Sequence, residues 1–161
     1  MRTKILAIVA FCLSSSCHAA GEPQLISYKS IDADLYIVLA ADRSEAYLGH
    51  IAVDTAPCAI GDETLCIEFD GHLFTVADSA VTTPEVAITS ERDDFTYPTG
   101  ITEIAEKISV RTGDFSDTFW YSPTKGLLAI ELALASDGRR GSTFVLVGNC
   151  GYGANRNCIE Q

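Results

Sequence analysis

The sequence predicts an all-β domain, a single antiparallel unit built as a sandwich or a partly open barrel. Three observations carry that expectation. About eight or nine short apolar runs of strand length follow one another, most of them alternating with a period of two. Turn residues separate them, as in Asp42-Arg43-Ser44-Glu45, Asp70-Gly71 and Ser122-Pro123-Thr124-Lys125-Gly126. No long helical stripe interrupts the series, which leaves room for one short helical turn at most.

The first residues stand outside this pattern. Arg2 and Lys4 form a basic start, residues 5–13 an apolar run, and Cys17-His18-Ala19 a small-x-small cleavage signal. The run is too short to cross a hydrocarbon core of about 30 Å as a helix. Residues 1–19 therefore read as an export signal removed after Ala19, and residues 20–161 as one β-rich domain without a membrane anchor. Acylation of Cys17, as in a lipoprotein, is disfavoured by Ser14, which stands where an aliphatic residue is wanted. The expected location is periplasmic or extracellular.

Losing Arg2 and Lys4 with the leader reduces eleven basic residues to nine against 22 acidic ones, so the formal charge moves from −11 to −13. Such a chain repels nucleic acid and anionic lipid, and it admits a cationic protein partner. An acidic surface also serves solubility without any partner.

Four cysteines remain: Cys58, Cys66, Cys150 and Cys158. An even count in an exported chain reads as two disulfides. Of three pairings, Cys58–Cys66 and Cys150–Cys158 are favoured, because each brackets a short glycine-containing loop. Each closure stabilises by about 2.5 kcal/mol on the chain-entropy account. A zinc site is disfavoured by the spacing within each pair.

Taken in order, residues 21–33 are polar and read as a surface lead-in. Residues 35–41, LYIVLAA, suggest a central strand buried on both faces. Residues 47–55 continue as one alternating strand with His50 in its middle. Residues 56–64 form the first cysteine loop. Residues 65–69 and 72–77 are strands joined by Asp70-Gly71, the most specific local signal in the chain. Residues 78–100 read as a long loop, with a brief strand at 86–89 and a charged run Glu91-Arg92-Asp93-Asp94. Residues 101–106 suit helix or strand equally, and 108–112 suit a strand. The organising element is the hairpin over 118–134. Its turn is Ser122 to Gly126, and Leu128, Ile130, Leu132 and Leu134 give it one buried face. Another turn follows around Arg139-Arg140, then a strand at 143–147, and Cys150 to Cys158 closes the chain.

No catalytic motif, metal-ligand set or cofactor-binding signature is present. Paired carboxylates such as Asp32/Asp34 and Asp93/Asp94 arise readily in so acidic a chain, and neither pair has a catalytic context. His50 and His72 read as ordinary strand and turn histidines. The candidate binding loop lies between the last two cysteines, where Tyr152, Asn155 and Arg156 present an aromatic, an amide and a guanidinium on a backbone pinned by a bridge. The expectation is recognition, as an inhibitor or immunity-type protein against a cationic envelope enzyme or toxin. Two alternatives stand beside it. One is a small-ligand binder or motif-poor hydrolase with a pocket near Trp120, His50 and His72, and the other is a structural accessory of an envelope assembly.

Overall fold

The computed structural model describes residues 23–56, 58, 65–76, 80–133, 141–155 and 158. The expected leader over 1–19 with Cys17, the interior of the first cysteine loop, the Arg139-Arg140 turn and Arg156 lie outside these residues. The described chain forms β1 (Leu25–Ser30), β2 (Tyr36–Ala40), β3 (Ala46–Leu48), β4 (Ile51–Val53), β5 (Thr55–Ala56), β6 (Cys66–Phe69), β7 (His72–Thr75), β8 (Val81–Thr82), β9 (Val86–Thr96), β10 (Thr102–Thr112), β11 (Phe115–Ser122), β12 (Gly126–Leu132) and β13 (Ser142–Leu146). The fold is all-β, as the sequence predicts.

Ten strands form one antiparallel sheet in the order β4-β3-β2-β1-β13-β12-β11-β10-β9-β8, and β5-β6-β7 form a small second sheet. Alternation sends Ile26, Tyr28, Ile37, Leu39, Ile108, Val110, Phe119 and Phe144 to one face of the large sheet. The small sheet packs there through Phe69, Leu73 and Phe74. Phe74 sits at the centre of this core, with ring centroids 5.0 Å from Phe119 and 6.2 Å from Tyr152. Among the described residues the large sheet is open at β4 and β8.

The opposite face carries a second cluster of Phe95, Ala105, Leu128, Ala129 and Val145, with Tyr97 and Trp120 against it. β9 and β10 pair over their full length, but β10 pairs with β11 only from Glu106 onward. The distal part of the β9–β10 hairpin is therefore free to fold across the outer face. Phe95 carries it there, its ring centroid 5.5 Å from that of Trp120.

Several elements differ from expectation. Residues 21–33 are not merely a lead-in: β1 is central to the sheet, and Tyr28 on it is fully buried. β2 buries Ile37 and Leu39 on one face, while the other grades from exposed Tyr36 through half-buried Val38 to buried Ala40. The strand expected over 47–55 is broken by a two-residue turn at Gly49-His50, with Gly49 at φ 63°. Residues 86–96 form an eleven-residue strand where only a brief one at 86–89 within a loop is expected, and of the two readings open for 101–106 the strand is the one found, from Thr102 onward.

The central hairpin is buried on both faces. Thr118, Phe119 and Trp120 pair with Glu131, Ile130 and Ala129, but Tyr121 pairs with Leu127, so Leu128 is an extra residue in β12. This bulge turns Leu128 and Ala129 to the outer cluster while Leu127 and Ile130 enter the inner core. The Asp70-Gly71 turn follows expectation, with φ 49° and 79° at the two positions as a twist-matched hairpin requires.

Candidate functional site

The C-terminal loop and the turn of the central hairpin, distant from each other in sequence, form one unit. Cys150 and Cys158 are bridged, with 5.7 Å between Cα atoms, and Cys58 and Cys66 are bridged at 5.9 Å. Two such bridges are the chemistry of an oxidising, exported environment. Between Cys150 and Asn155 the chain runs beside the hairpin turn and itself turns at Tyr152-Gly153, where the Ala154 N–H donates to the Gly151 carbonyl at 3.1 Å and Gly153 takes φ 73°. The Gly151 N–H donates to the Lys125 carbonyl at 2.7 Å, the Leu127 N–H to the Tyr152 carbonyl at 2.9 Å, and the Asn155 N–H to the Thr124 carbonyl at 3.3 Å.

Glycine makes this approach possible. A Cβ on Gly151 would stand 2.0 Å from the Leu127 carbonyl oxygen, and one on Gly126 would stand 2.6 Å from both Ala154 N and the Tyr152 oxygen. Gly126 also adopts φ 77°, which only glycine takes at little cost. The two backbones thus touch where side chains would separate them.

Tyr28 locks the pair from below. Its hydroxyl donates to the Leu127 carbonyl at 3.1 Å and accepts the Tyr152 N–H at 2.9 Å. Complete burial pushes its ionisation far above the ordinary tyrosine value, so the hydroxyl stays a donor even in alkali. The Tyr152 hydroxyl reaches the Cys66 carbonyl at 3.4 Å, and Gly153 lies against Leu65. Leu65 and Cys66 of the first bridge, the last loop and the Pro123 turn therefore meet.

The expected display of Tyr152 is overturned, since the ring is 1% exposed and belongs to the inner core. Its aromatic surface finds Phe74 and Cys66 nearby, and burying it there removes more apolar area from water than an outward pose could. Asn155 is exposed, and its Oδ1 accepts the Cys158 N–H at 3.2 Å. Arg156 lies outside the described residues. The exposed part of the unit is Pro123, Thr124, Gly153 and Asn155. Lys125 beside them forms an ion pair with Glu103, which ties the β9–β10 hairpin to the same unit.

Trp120, His50 and His72 are not brought together. Trp120 packs on the outer face, and His50 is exposed in the β3–β4 turn. His72 lies between the sheets, its Nδ1 2.8 Å from Oδ2 of Asp117 and its ring centroid 4.6 Å from that of Phe115. Asp117 and Trp120 point to opposite faces of β11. Asp117 is 2% exposed, and its other oxygen accepts the Ala133 N–H at 3.4 Å, so the couple joins small sheet to large.

A cleft of about 440 Å³ borders the site and runs between β1 and the last loop, lined by Leu25, Val147, Asn149, Cys150 and Cys158. Among the described residues no three His, Cys, Asp or Glu side chains gather as a metal site, and no helix is long and apolar enough to cross a membrane.

Sequence reasoning singled out the hairpin and the loop separately but missed their union, together with Tyr28 and the Gly126–Gly151 crossing. No local signal marks a contact between residues this far apart. The class defined so far is a doubly bridged all-β protein with a pinned loop at one end. The chain matches no protein-family model, no curated protein and no solved structure.

Proposed function

We propose that this chain is an exported recognition module that binds a cationic protein in the periplasm or outside the cell, as an inhibitor or immunity-type partner of a basic envelope enzyme or toxin. The observation behind this reading is the union of the Cys150–Cys158 loop with the Pro123 turn, against which Leu65 and Cys66 of the other bridge pack. A patch whose backbone is already fixed by bridges, glycine contacts and the Tyr28 hydroxyl loses little entropy on docking. Pro123, Thr124, Gly153 and Asn155 form it, and Arg156 follows directly in sequence. A net charge of −11 favours a basic partner and steers it from a distance.

The test is capture from envelope and culture extracts on immobilised mature protein, beside a Thr124→Ala/Asn155→Ala/Arg156→Ala variant. The expected result is a basic protein, released by salt, that the variant retains about tenfold less while its melting temperature stays unchanged. Equal retention by the variant, or no basic protein bound at all, would refute the reading.

A further inference from the structure

At one corner the large sheet leaves a strand position that no described residue fills, and we infer that it receives an extended segment of a partner with a lysine or arginine at its leading end. The corner arises where residues 51–56 change sheets. Over Ile51–Val53 they pair with β3, and over Thr55–Ala56 they pair with β6. The Asp70 N–H donates to the Asp54 carbonyl at 3.1 Å, so at Asp54 the bonding edge faces β6 and away from β3. Bonding direction repeats at every second residue, so the amide and carbonyl of Ala52 face the same way. β6 ends at Phe69, however, and the chain turns off through Asp70-Gly71. Among the described residues nothing pairs with Ala52 on that side, and β4 is the edge of the ten-stranded sheet.

The vacancy is a cleft of about 270 Å³ lined by Leu48, Ile51, Ala52, Val53, Asp54 and Asp70. Ile51 on its wall is 71% exposed, an apolar edge residue of the kind that folded proteins usually shield. Asp54 and Asp70 stand at one end, both exposed and, among the described residues, in no ion pair.

A segment added antiparallel to β4 runs in line with β6 and begins where β6 stops, so its first residues lie beside these two carboxylates. Main-chain bonds to Ala52 hold it, alternate side chains cover Ile51 and Val53, and the charged end fixes its direction. A second copy suits the slot poorly. Pairing β4 with itself sets each Asp70-Gly71 turn against the other copy's Gly49-His50 turn and joins two chains of net charge −11. This surface is separate from the bridged-loop patch and does not depend on it.

The test is titration of ¹⁵N-labelled mature protein with the blocked peptide Lys-Val-Thr-Val-Thr and with its counterpart beginning in glutamate. Amide shifts confined to residues 48–54 and to Asp70-Gly71, with the lysine peptide binding about tenfold more tightly, are expected. Asp54→Asn/Asp70→Asn should level the two peptides. Ala52→Pro, which removes the outward donor at an edge position where proline is tolerated, should abolish both while the remaining spectrum stays native. Thr124→Ala/Asn155→Ala should leave the titration unchanged, which separates this site from the loop patch. Equal binding of the two peptides, shifts located elsewhere, binding that survives Ala52→Pro, or a β4-mediated dimer in sedimentation would each overturn the inference.

Discussion

The Tyr28 hydroxyl joins the start of the described chain to its end, donating to Leu127 O at 3.1 Å and accepting Tyr152 N–H at 2.9 Å. Those partners lie 99 and 124 residues away in sequence. Replacing the hydroxyl by hydrogen leaves a buried carbonyl and a buried amide short of a partner, at about 1–3 kcal/mol for each group left unpaired. Tyr28→Phe should therefore lower the urea midpoint by an amount equivalent to about 2–6 kcal/mol, with the denaturant slope unchanged. The Tyr152 amide should exchange with solvent much faster than the amides of β1. Equal protection of that amide in variant and parent would show that the hydroxyl is not what fixes the loop.

The same side chain makes the fold sensitive to alkali. An unfolded tyrosine ionises near pH 10. Burial raises Tyr28 far above that value and also raises Tyr152, against which Arg43 pulls the other way. Above about pH 10 the unfolded chain releases protons that the folded chain keeps, so the unfolded state is favoured as pH rises. The contribution is fully present below the unfolded value and is lost beyond it, at about 1.4 kcal/mol per pH unit for each such group. Denaturant midpoints measured from pH 8 to 11.5 should be flat and then fall, and the fall should be shallower in Tyr28→Phe by about one proton. Identical slopes in the two proteins would assign the alkaline transition to other groups.

These dependences explain which parts of the fold the sequence makes legible. Asp70-Gly71 is readable because its two positive φ angles are a local demand that few residue pairs meet. The two bridges are readable because short loops close locally. β9 is not, since Ser90, Glu91, Arg92, Asp93 and Asp94 are all exposed and the strand exists through its eleven-residue ladder with β10. β1 hides for a related reason: Ile26, Tyr28 and Ser30 face the core, but Ser27 and Lys29 between them look like loop. The alternation in β12 is real, yet it cannot reveal the bulge at Leu128 that buries both faces. At the site, Tyr152 between glycines looks displayed, and only Phe74, Cys66 and Tyr28 show why it is not.

Close contact at the site predicts a graded response to added methyl groups. Gly126→Ala and Gly151→Ala each place a Cβ inside the contact distance of backbone atoms that cannot rotate away, and Gly126 adds an unfavourable φ. Gly100 has φ 86° with nothing within 4 Å of its would-be Cβ, so Gly100→Ala measures backbone strain alone. Thermal unfolding should show Gly100→Ala losing about 1 kcal/mol and the two site variants about 2–4 kcal/mol. Comparable losses for all three would mean that the Gly126–Gly151 crossing is looser than the distances imply.

The outer cluster offers its own reporter, because Trp120 is the only tryptophan in the chain. Its indole is half-buried under the folded-over part of the β9–β10 hairpin, where Phe95 lies between it and Tyr97, the Phe95 and Tyr97 centroids being 5.0 Å apart. Phe95→Ala removes the side chain that fastens this flap, at about 3–5 kcal/mol if the cavity does not collapse. The inner core around Phe74 contains none of these residues. Trp120 emission should therefore shift to the red and become open to acrylamide quenching at denaturant concentrations where the Tyr28 and Tyr152 amides are still protected. If fluorescence and amide protection in Phe95→Ala are instead lost together, the flap and the inner core unfold as a single cooperative unit.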